Sequence, residues 1–149
     1  MDARMTNFRI VVSNLERSLA FYTGLLGFKE VARAEFSNPD LTEVFLDDPG
    51  GAVRFVLVQA DGIPVPSSPG WGPLIVQVDD VQAARDEIKD SGYELVFEPI
   101  SLGPVDMLMV ADPDGYLVEV LSPDAEGRPA LPPAGQKFTY PVPQIFDRK

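Results

Sequence analysis

Hydrophobic and polar positions along this chain follow two periods, one typical of strands and one typical of helices. Residues 8–12 (FRIVV) are rich in β-forming residues and predict a strand. Asn14 is a good helix N-cap, and apolar residues recur after it at helical spacing until Gly27. Three further strands are predicted between turn-forming segments, at 28–36, 42–46 and 53–59. The first half of the chain is therefore predicted to be a β-α-β-β-β unit.

The second half of the chain repeats this order. Asp80 is the predicted N-cap of a helix that ends near Ser91 and has a modest apolar stripe. Strands are predicted on both sides of this helix, at 74–78, 93–99, 107–110 and 116–121. The second half is therefore a second β-α-β-β-β unit.

The landmarks of the two units recur at a nearly constant offset. The helix caps Asn14 and Asp80 are 66 residues apart, and the turns that begin at Asp48 and Asp112 are 64 apart. Such agreement indicates duplication of one unit. We therefore predict an α/β (α+β) fold with two tandem βαβββ modules.

One short helix cannot cover both faces of a four-stranded sheet. Each module therefore leaves one sheet face without a helix, and two modules can curve these faces around a shared cleft. We predict a curved mixed sheet that encloses such a cleft. The sequence leaves open whether the cleft lies within one chain or between two.

The domain boundaries follow the changes in composition. The connector holds three prolines and three glycines, and the C-terminal stretch holds six of the 15 prolines together with several aromatic residues. The C-terminal stretch is either a ragged terminus or an arm that packs on the cleft, on the outer helices or on a second subunit. The predicted boundaries are 1–122 for a single domain, with module one at 5–59, the linker at 60–72 and module two at 73–122, and 123–149 for a Pro-rich arm.

Composition narrows the classes of partner. The chain of 149 residues has no apolar run near the ~18–20 residues of a membrane span. It has no cysteine and no signal-peptide pattern at its beginning, so a cytoplasmic location is the expectation. A formal net charge of -11 without a basic patch argues against nucleic-acid binding. The acidity serves solubility or attracts a cationic ligand.

Several segments together resemble a known superfamily. They are NLERSLAFY at 14–22, LLGF at 25–28, VDDV at 78–81 and DPDGYLVE at 112–119. This pattern resembles the vicinal-oxygen-chelate superfamily, which contains glyoxalase I, bleomycin-resistance proteins, fosfomycin-resistance enzymes and extradiol dioxygenases. The resemblance covers about residues 5–122. It implies the fold more strongly than the function, because the superfamily hosts many chemistries on one scaffold.

The resemblance also implies where metal ligands would lie. The metal enzymes of the superfamily take ligands from the first and last strands of each module. Those positions fall on Asn7, Val56, Pro73 and Glu119, although an ungapped alignment of the repeat would give Phe55 in place of Val56. Only Glu119 keeps a carboxylate, so the resemblance implies a member without the usual metal-ligand histidines.

The residue types at these positions argue against a metal cofactor. A metal site needs at least three well-placed N, O or S donors, and this chain contains no histidine and no cysteine. Asp47, Asp48 and Asp106 would be candidates for an all-oxygen site, but their positions favour roles in turns. We therefore expect neither a metal nor another cofactor.

Strand alternation sorts the side chains that would line the cleft. The candidate ligand-binding residues are Asn7, Arg9, Arg54, Val56, Trp71, Pro73, Gln77 and Glu119. An apolar pocket with a few polar groups is typical of a small-molecule site. The alternative is that Arg9 or Arg54 pairs with Glu119 in a purely structural ion pair. Phe21 and Tyr22 are expected to pack between helix and sheet.

The favoured hypothesis is metal-independent binding of a small organic molecule, as in the drug-sequestering branch of the superfamily. The resemblance implies a homodimer and allows a cationic or planar aromatic antibiotic as the ligand. The second hypothesis is a lyase, isomerase or dioxygenase that uses Glu119 as a general base, its pKa raised by apolar surroundings. The third is a partner module whose cleft is filled by its own C-terminal arm. Neither nucleic acid nor a membrane is an expected partner.

Overall fold

In the described part of the chain, eight strands and two helices follow one another in the order that the sequence predicts. The computed structural model describes residues 1–2, 5–66, 73–102 and 105–123, without the side chain of residue 102. The first elements are β1 (Phe8–Val11), α1 (Leu15–Leu19), a π-helical segment (Ala20–Leu25), β2 (Lys29–Phe36), β3 (Leu41–Asp47) and β4 (Arg54–Ala60). The next are β5 (Leu74–Gln77), α2 (Val81–Asp90), β6 (Glu94–Leu102), β7 (Val105–Ala111) and β8 (Leu117–Leu121). The βαβββ order is thereby confirmed in both halves.

The two halves form two compact units, Met1–Pro66 and Ser67–Lys149. Each unit has one four-stranded mixed sheet, in the order β1-β4-β3-β2 or β5-β8-β7-β6. In both sheets the first and last strands of the unit pair in parallel, and the remaining pairs are antiparallel. The duplicated sequence therefore produces the same topology twice.

The two predicted N-caps begin the helices. Asn14 has extended backbone, and its Oδ1 accepts a hydrogen bond from the Arg17 amide at 2.9 Å. Asp80 does the same for α2, because its Oδ1 accepts from the amides of Gln82 and Ala83 at 2.9 and 3.0 Å. These side chains satisfy amides that the first helical turn leaves without a partner.

The first helix differs from a plain α-helix. After Leu19 it widens into the π-helical segment, where the Leu26 amide donates to the Phe21 carbonyl five residues earlier at 3.2 Å. Phe21 and Tyr22 are both buried, and the Tyr22 ring lies 4.8 Å from the Phe55 ring in β4. The wider turn buries two consecutive aromatic residues, and the expected packing of this helix against its sheet is confirmed.

The hairpin of the second unit is longer than the sequence predicts. The pairing of β6 with β7 continues to Leu102 and Val105, whereas the sequence predicts strands only at 93–99 and 107–110. The register of β6 shifts twice along this hairpin, as bulges allow. Backbone pairing between the two strands therefore extends the hairpin beyond the residues that the local sequence pattern predicts as strand.

The Asp-Pro turns of the two units are built alike. Asp48 accepts hydrogen bonds from the amides of Gly50 and Val53 at 3.0 and 2.6 Å. Asp112 accepts from the amides of Asp114 and Tyr116 at 2.9 and 2.8 Å, and it is only 5% exposed. The expected turn role of Asp48 is therefore what the structure shows, and its repeat-mate is the more deeply buried of the two.

Two predicted features lie outside the described residues, namely Trp71 and the arm after Pro123. Within the described ranges, neither helix is long and apolar enough to cross a membrane. The predicted domain boundaries, including the end of the domain at 122, stay predictions.

The unequal burial of the two turn carboxylates predicts unequal costs of removing them. We expect Asp112→Ala to lower the free energy of unfolding by about 1–3 kcal/mol, because buried amides lose their acceptor. Asp48→Ala is the matched control in the other unit, and water can replace its more exposed carboxylate. Urea denaturation of both variants checks this, and an equal or larger loss in Asp48→Ala would contradict it.

Candidate functional site

In each unit we call the face of the sheet that lies opposite its helix the far face. In β4, Phe55 packs against Tyr22 and Phe8 with ring centroids 4.8 Å apart in each pair. Since successive strand residues point to opposite faces, Arg54 and Val56 lie on the far face. Phe55 is thereby removed as a candidate, and the register favours Val56 as the last-strand position of the first module.

Strand register shows which positions of the two units are equivalent. Arg9 pairs with Val56 between β1 and β4, and Ile75 pairs with Glu119 between β5 and β8. The register with the third strand of each unit gives the same equivalence, because Val56 and Glu119 each pair with a residue near the middle of that strand. Val56 therefore occupies in the first unit the position that Glu119 occupies in the second.

Glu119 is a carboxylate among apolar neighbours. Ile75 and Met109 flank it on the adjacent strands, and Leu117 and Leu121 precede and follow it on the same face of β8. Met109 is fully buried and Leu117 nearly so. Burial therefore removes water from the Glu119 carboxylate and raises its pKa above the usual range. Within the part of the chain that the structure describes, no hydrogen bond or ion pair reaches this carboxylate.

Two ion pairs lie on the far face of the first sheet. The Arg9 Nε lies 3.3 Å from Glu43 Oε1, and Arg9 Nη2 donates to Glu43 Oε2 at 3.5 Å. Arg54 Nε and Nη2 donate to Asp47 Oδ1 and Oδ2 at 2.6 and 2.8 Å. The hydrogen bond from Arg54 holds the pKa of Asp47 below its usual range. Both arginines are therefore neutralised by carboxylates from β3.

Each arginine has a carboxylate partner within its own unit, Glu43 for Arg9 and Asp47 for Arg54. Glu43 was missed as a site residue. Its side chain is only 13% exposed and lies on the same face as Arg9 and Val56. The alternation of side chains along β3 shows which of its residues share a face with Glu43. Only the register of β3 with β4 shows that this face is also the face of Arg9.

The remaining candidates are placed as follows. Asn7 is partly buried, and its Nδ2 donates to Thr6 Oγ1 at 3.2 Å. Val56 is fully buried at 0% exposure, whereas Pro73 is partly buried. Gln77 is exposed and pairs in register with Leu121 on the far face of the second sheet. Trp71, as stated above, is not among the described residues.

The donor set does not fit the metal that the superfamily implies. Of the four implied ligand positions, Val56 and Pro73 offer no side-chain donor, and Asn7 and Glu119 offer one amide and one carboxylate. In residues 1–2, 5–66, 73–102 and 105–123, no three or more His, Cys, Asp or Glu side chains are grouped to hold a metal ion.

The other acidic candidates are engaged elsewhere. Asp47 is held by Arg54, and Asp48 caps its turn. Asp106 accepts a hydrogen bond from the Ser101 hydroxyl at 2.6 Å, and its amide donates to Ser122 Oγ at 2.9 Å. These contacts give Asp47, Asp48 and Asp106 local structural roles.

Comparison with known proteins places this arrangement in a family. Residues 4–120 match the model of the Glyoxalase/Bleomycin resistance protein/Dioxygenase superfamily. The chain is 30% identical over 123 residues to a lactoylglutathione lyase of Neisseria meningitidis, which covers 79% of this chain and 89% of that protein. It is 30% identical over 127 residues to a probable lactoylglutathione lyase of Vibrio cholerae, covering 78% and 92%.

A solved structure shows the same fold. The trypanothione-dependent glyoxalase I of Leishmania major superposes with a TM-score of 0.69 at 27% identity, over 81% of this chain and 87% of that one. The fold predicted from the duplicated pattern is thereby confirmed. By the family match and by these likenesses, the chain belongs to the Glyoxalase/Bleomycin resistance protein/Dioxygenase superfamily.

Proposed function

We propose that this protein binds a small organic molecule without the help of a metal ion. The observation that carries the proposal is the strand register, which puts Val56 in the first unit where Glu119 stands in the second. Of the two last-strand positions, one is a hydrocarbon and the other a carboxylate. The chain shares its fold with enzymes but has too few donors at these positions for a metal.

The chemistry of the far faces fits such a binding site. Small-molecule sites are mostly apolar, with a few polar groups that orient the ligand. On the first sheet, the partly buried Phe45 lies on the same face as the Arg9–Glu43 pair. On the second sheet, Glu119 stands among Ile75, Met109 and leucines. Both surfaces therefore combine apolar contact area with few, well-defined polar atoms.

Restoring the missing donors tests this proposal. The triple variant Asn7→His/Val56→Glu/Pro73→His adds donors at the three deficient positions. We expect it to bind Ni²⁺ or Zn²⁺ at least about tenfold more tightly than the parent chain, since each first-row ion favours imidazole and carboxylate ligands. Isothermal titration of both proteins with each ion measures the difference. One equivalent of tightly held metal in the purified parent would contradict the proposal.

A second candidate function is proton transfer by Glu119 in a lyase or isomerase. Two observations favour it, namely the raised pKa of Glu119 and the name lactoylglutathione lyase carried by relatives. A carboxylate whose pKa is raised toward neutrality is a better general base, because it takes a proton from the substrate more readily. It would remove a proton from one substrate atom and return it to a neighbouring one. A dioxygenase is less favoured, since the donor set supplies no iron site.

Turnover of lactoylglutathione by the parent chain and by Glu119→Gln distinguishes proton transfer by Glu119 from ligand binding alone. If Glu119 is the base, Glu119→Gln is expected to lower kcat by about 100-fold or more while ligand affinity persists. If the protein only binds its ligand, the parent shows no turnover above the uncatalysed rate. Glu87→Gln, on the exposed face of α2, controls for the loss of one negative charge.

The raised pKa of Glu119 also predicts a pH dependence of stability. The unfolded carboxyl ionises near its ordinary value of 4.5, before the folded one does. Folded-state stability is therefore fully present below that pH and is lost as the pH rises through the folded pKa. Glu119→Gln, which stays neutral, is expected to match the parent at pH 3.5 and to exceed it at pH 7.5. Urea denaturation at the two pH values measures this, and a parent that is the more stable at pH 7.5 would contradict it.

We further propose that the ligand class includes antibiotics and that the protein acts as a homodimer. Support comes from superfamily membership and from the net charge of -11, which attracts cationic drugs. We expect at least one compound in a panel of cationic and planar aromatic antibiotics to raise the Tm of the protein by about 2 °C or more. Thermal melts in the presence of each compound measure this. An unchanged Tm across the panel would argue against sequestration, and light scattering after gel filtration measures the dimer.

A further inference from the structure

Arg9 is a residue of the first far face to which the proposed function assigns no specific ligand group. It lies in the middle of β1 and pairs with Val56, a position that the superfamily resemblance implies for a metal ligand. Its side chain is 53% exposed. The permanently charged guanidinium of Arg9 therefore belongs to a residue that lies beside Val56.

Glu43 holds this guanidinium in place. Glu43 comes from β3 and Arg9 from β1, so their contact crosses the intervening strand β4 above Val56 and Val58. A carboxylate as buried as Glu43 is costly unless a charged partner stays beside it. The need to pair Glu43 thus restrains the position of Arg9 on this face.

The geometry of the pair leaves one edge of the guanidinium available. Glu43 takes the edge formed by Nε and Nη2, at 3.3 and 3.5 Å. A guanidinium also carries donors on Nη1, and Nη2 has a second hydrogen. The edge formed by Nη1 and Nη2 has the fork shape that matches two oxygens of a carboxylate, phosphate or phosphonate.

We propose that Arg9, positioned by Glu43, is an oxyanion-binding subsite whose remaining guanidinium edge, formed by Nη1 and Nη2, donates two hydrogen bonds to the ligand. The ligand of this subsite is an organic anion, distinct from the cationic drugs that the net charge attracts. Its carboxylate, phosphonate or phosphate group lies on Arg9 and its apolar body on Phe45, which pairs with Val56 and is only partly buried. This goes beyond metal-independent binding by naming the charge of the ligand. The Arg9 subsite does not depend on Glu119, so failure of this proposal and failure of proton transfer by Glu119 can be told apart.

Because the protein carries a large net negative charge, saturable binding of an anion would indicate a specific cationic site. A chain with net charge -11 repels anions and attracts cations without specificity. Saturable binding of an anion therefore requires a local cation with the right geometry. Arg33 offers a matched control, since its Nε and Nη2 are likewise held by Glu30, at 3.1 and 3.2 Å, on the edge strand β2.

The test uses phenylphosphonate, inorganic phosphate and neutral benzamide as probes. Side-chain NMR of ¹⁵N-arginine-labelled protein, with the Arg9 signal assigned by substitution, follows each titration. Phenylphosphonate is expected to shift the Arg9 Nε–H signal saturably. Inorganic phosphate, which lacks the apolar body, and benzamide, which lacks the anion, are each expected to bind at least about tenfold more weakly. Equal binding of either one overturns the proposed ligand class.

Variants connect the binding to Arg9. Arg9→Lys keeps the charge beside Glu43 but loses the fork, and we expect phenylphosphonate binding, followed by calorimetry, to weaken at least about tenfold. Arg9→Met is expected to abolish it, and Arg33→Lys to leave it unchanged. Thermal melts of all variants establish that they are folded. Absence of saturable binding to the parent, or parent-like affinity in folded Arg9→Lys or Arg9→Met, overturns the proposal.

Discussion

The parallel pairing of the first and last strands of each unit is the constraint on which the rest of the molecule depends. Phe8 pairs with Phe55 in one sheet, and Leu74 pairs with Val118 in the other. A slip of one residue would turn Phe55 away from Tyr22 and bring Val56 to the helix, because strand side chains alternate between faces. The aromatic contacts beneath the first helix therefore hold the register that keeps Arg9 and Val56 on the far face.

The two far faces differ in charge although their backbones repeat. On the first sheet, two arginines are matched by two carboxylates, so the face is close to neutral but carries oriented donors. On the second sheet, the corresponding central residue is Glu119, surrounded by hydrocarbon. Duplication preserved the backbone and the caps, while substitution at equivalent positions gave each face its own chemistry. Function in this superfamily resides in such positions, since one fold hosts many activities.

Much of the fold was predictable from local signals. Asn14, Asp80 and the Asp-Pro turns act through hydrogen bonds within a few residues, so their spacing alone located helices and hairpins. The face of each residue in β1 and β4 followed from alternation. The π-helical turn was not predictable in the same way, because the burial of Phe21 and Tyr22 against the sheet accompanies a widening that helical spacing does not encode. The extension of the β6–β7 hairpin likewise depends on pairing between strands.

The sequence by itself determined the duplicated fold, the face on which each strand residue lies and the absence of histidine from the chain. Only the tertiary structure decided between Val56 and Phe55, paired Arg9 with Glu43 and Arg54 with Asp47, and left Glu119 among apolar side chains. The physical reason is the range of the interactions. Caps, turns and alternation act over a few residues, whereas ion pairs and desolvation depend on which strands become neighbours and in what register.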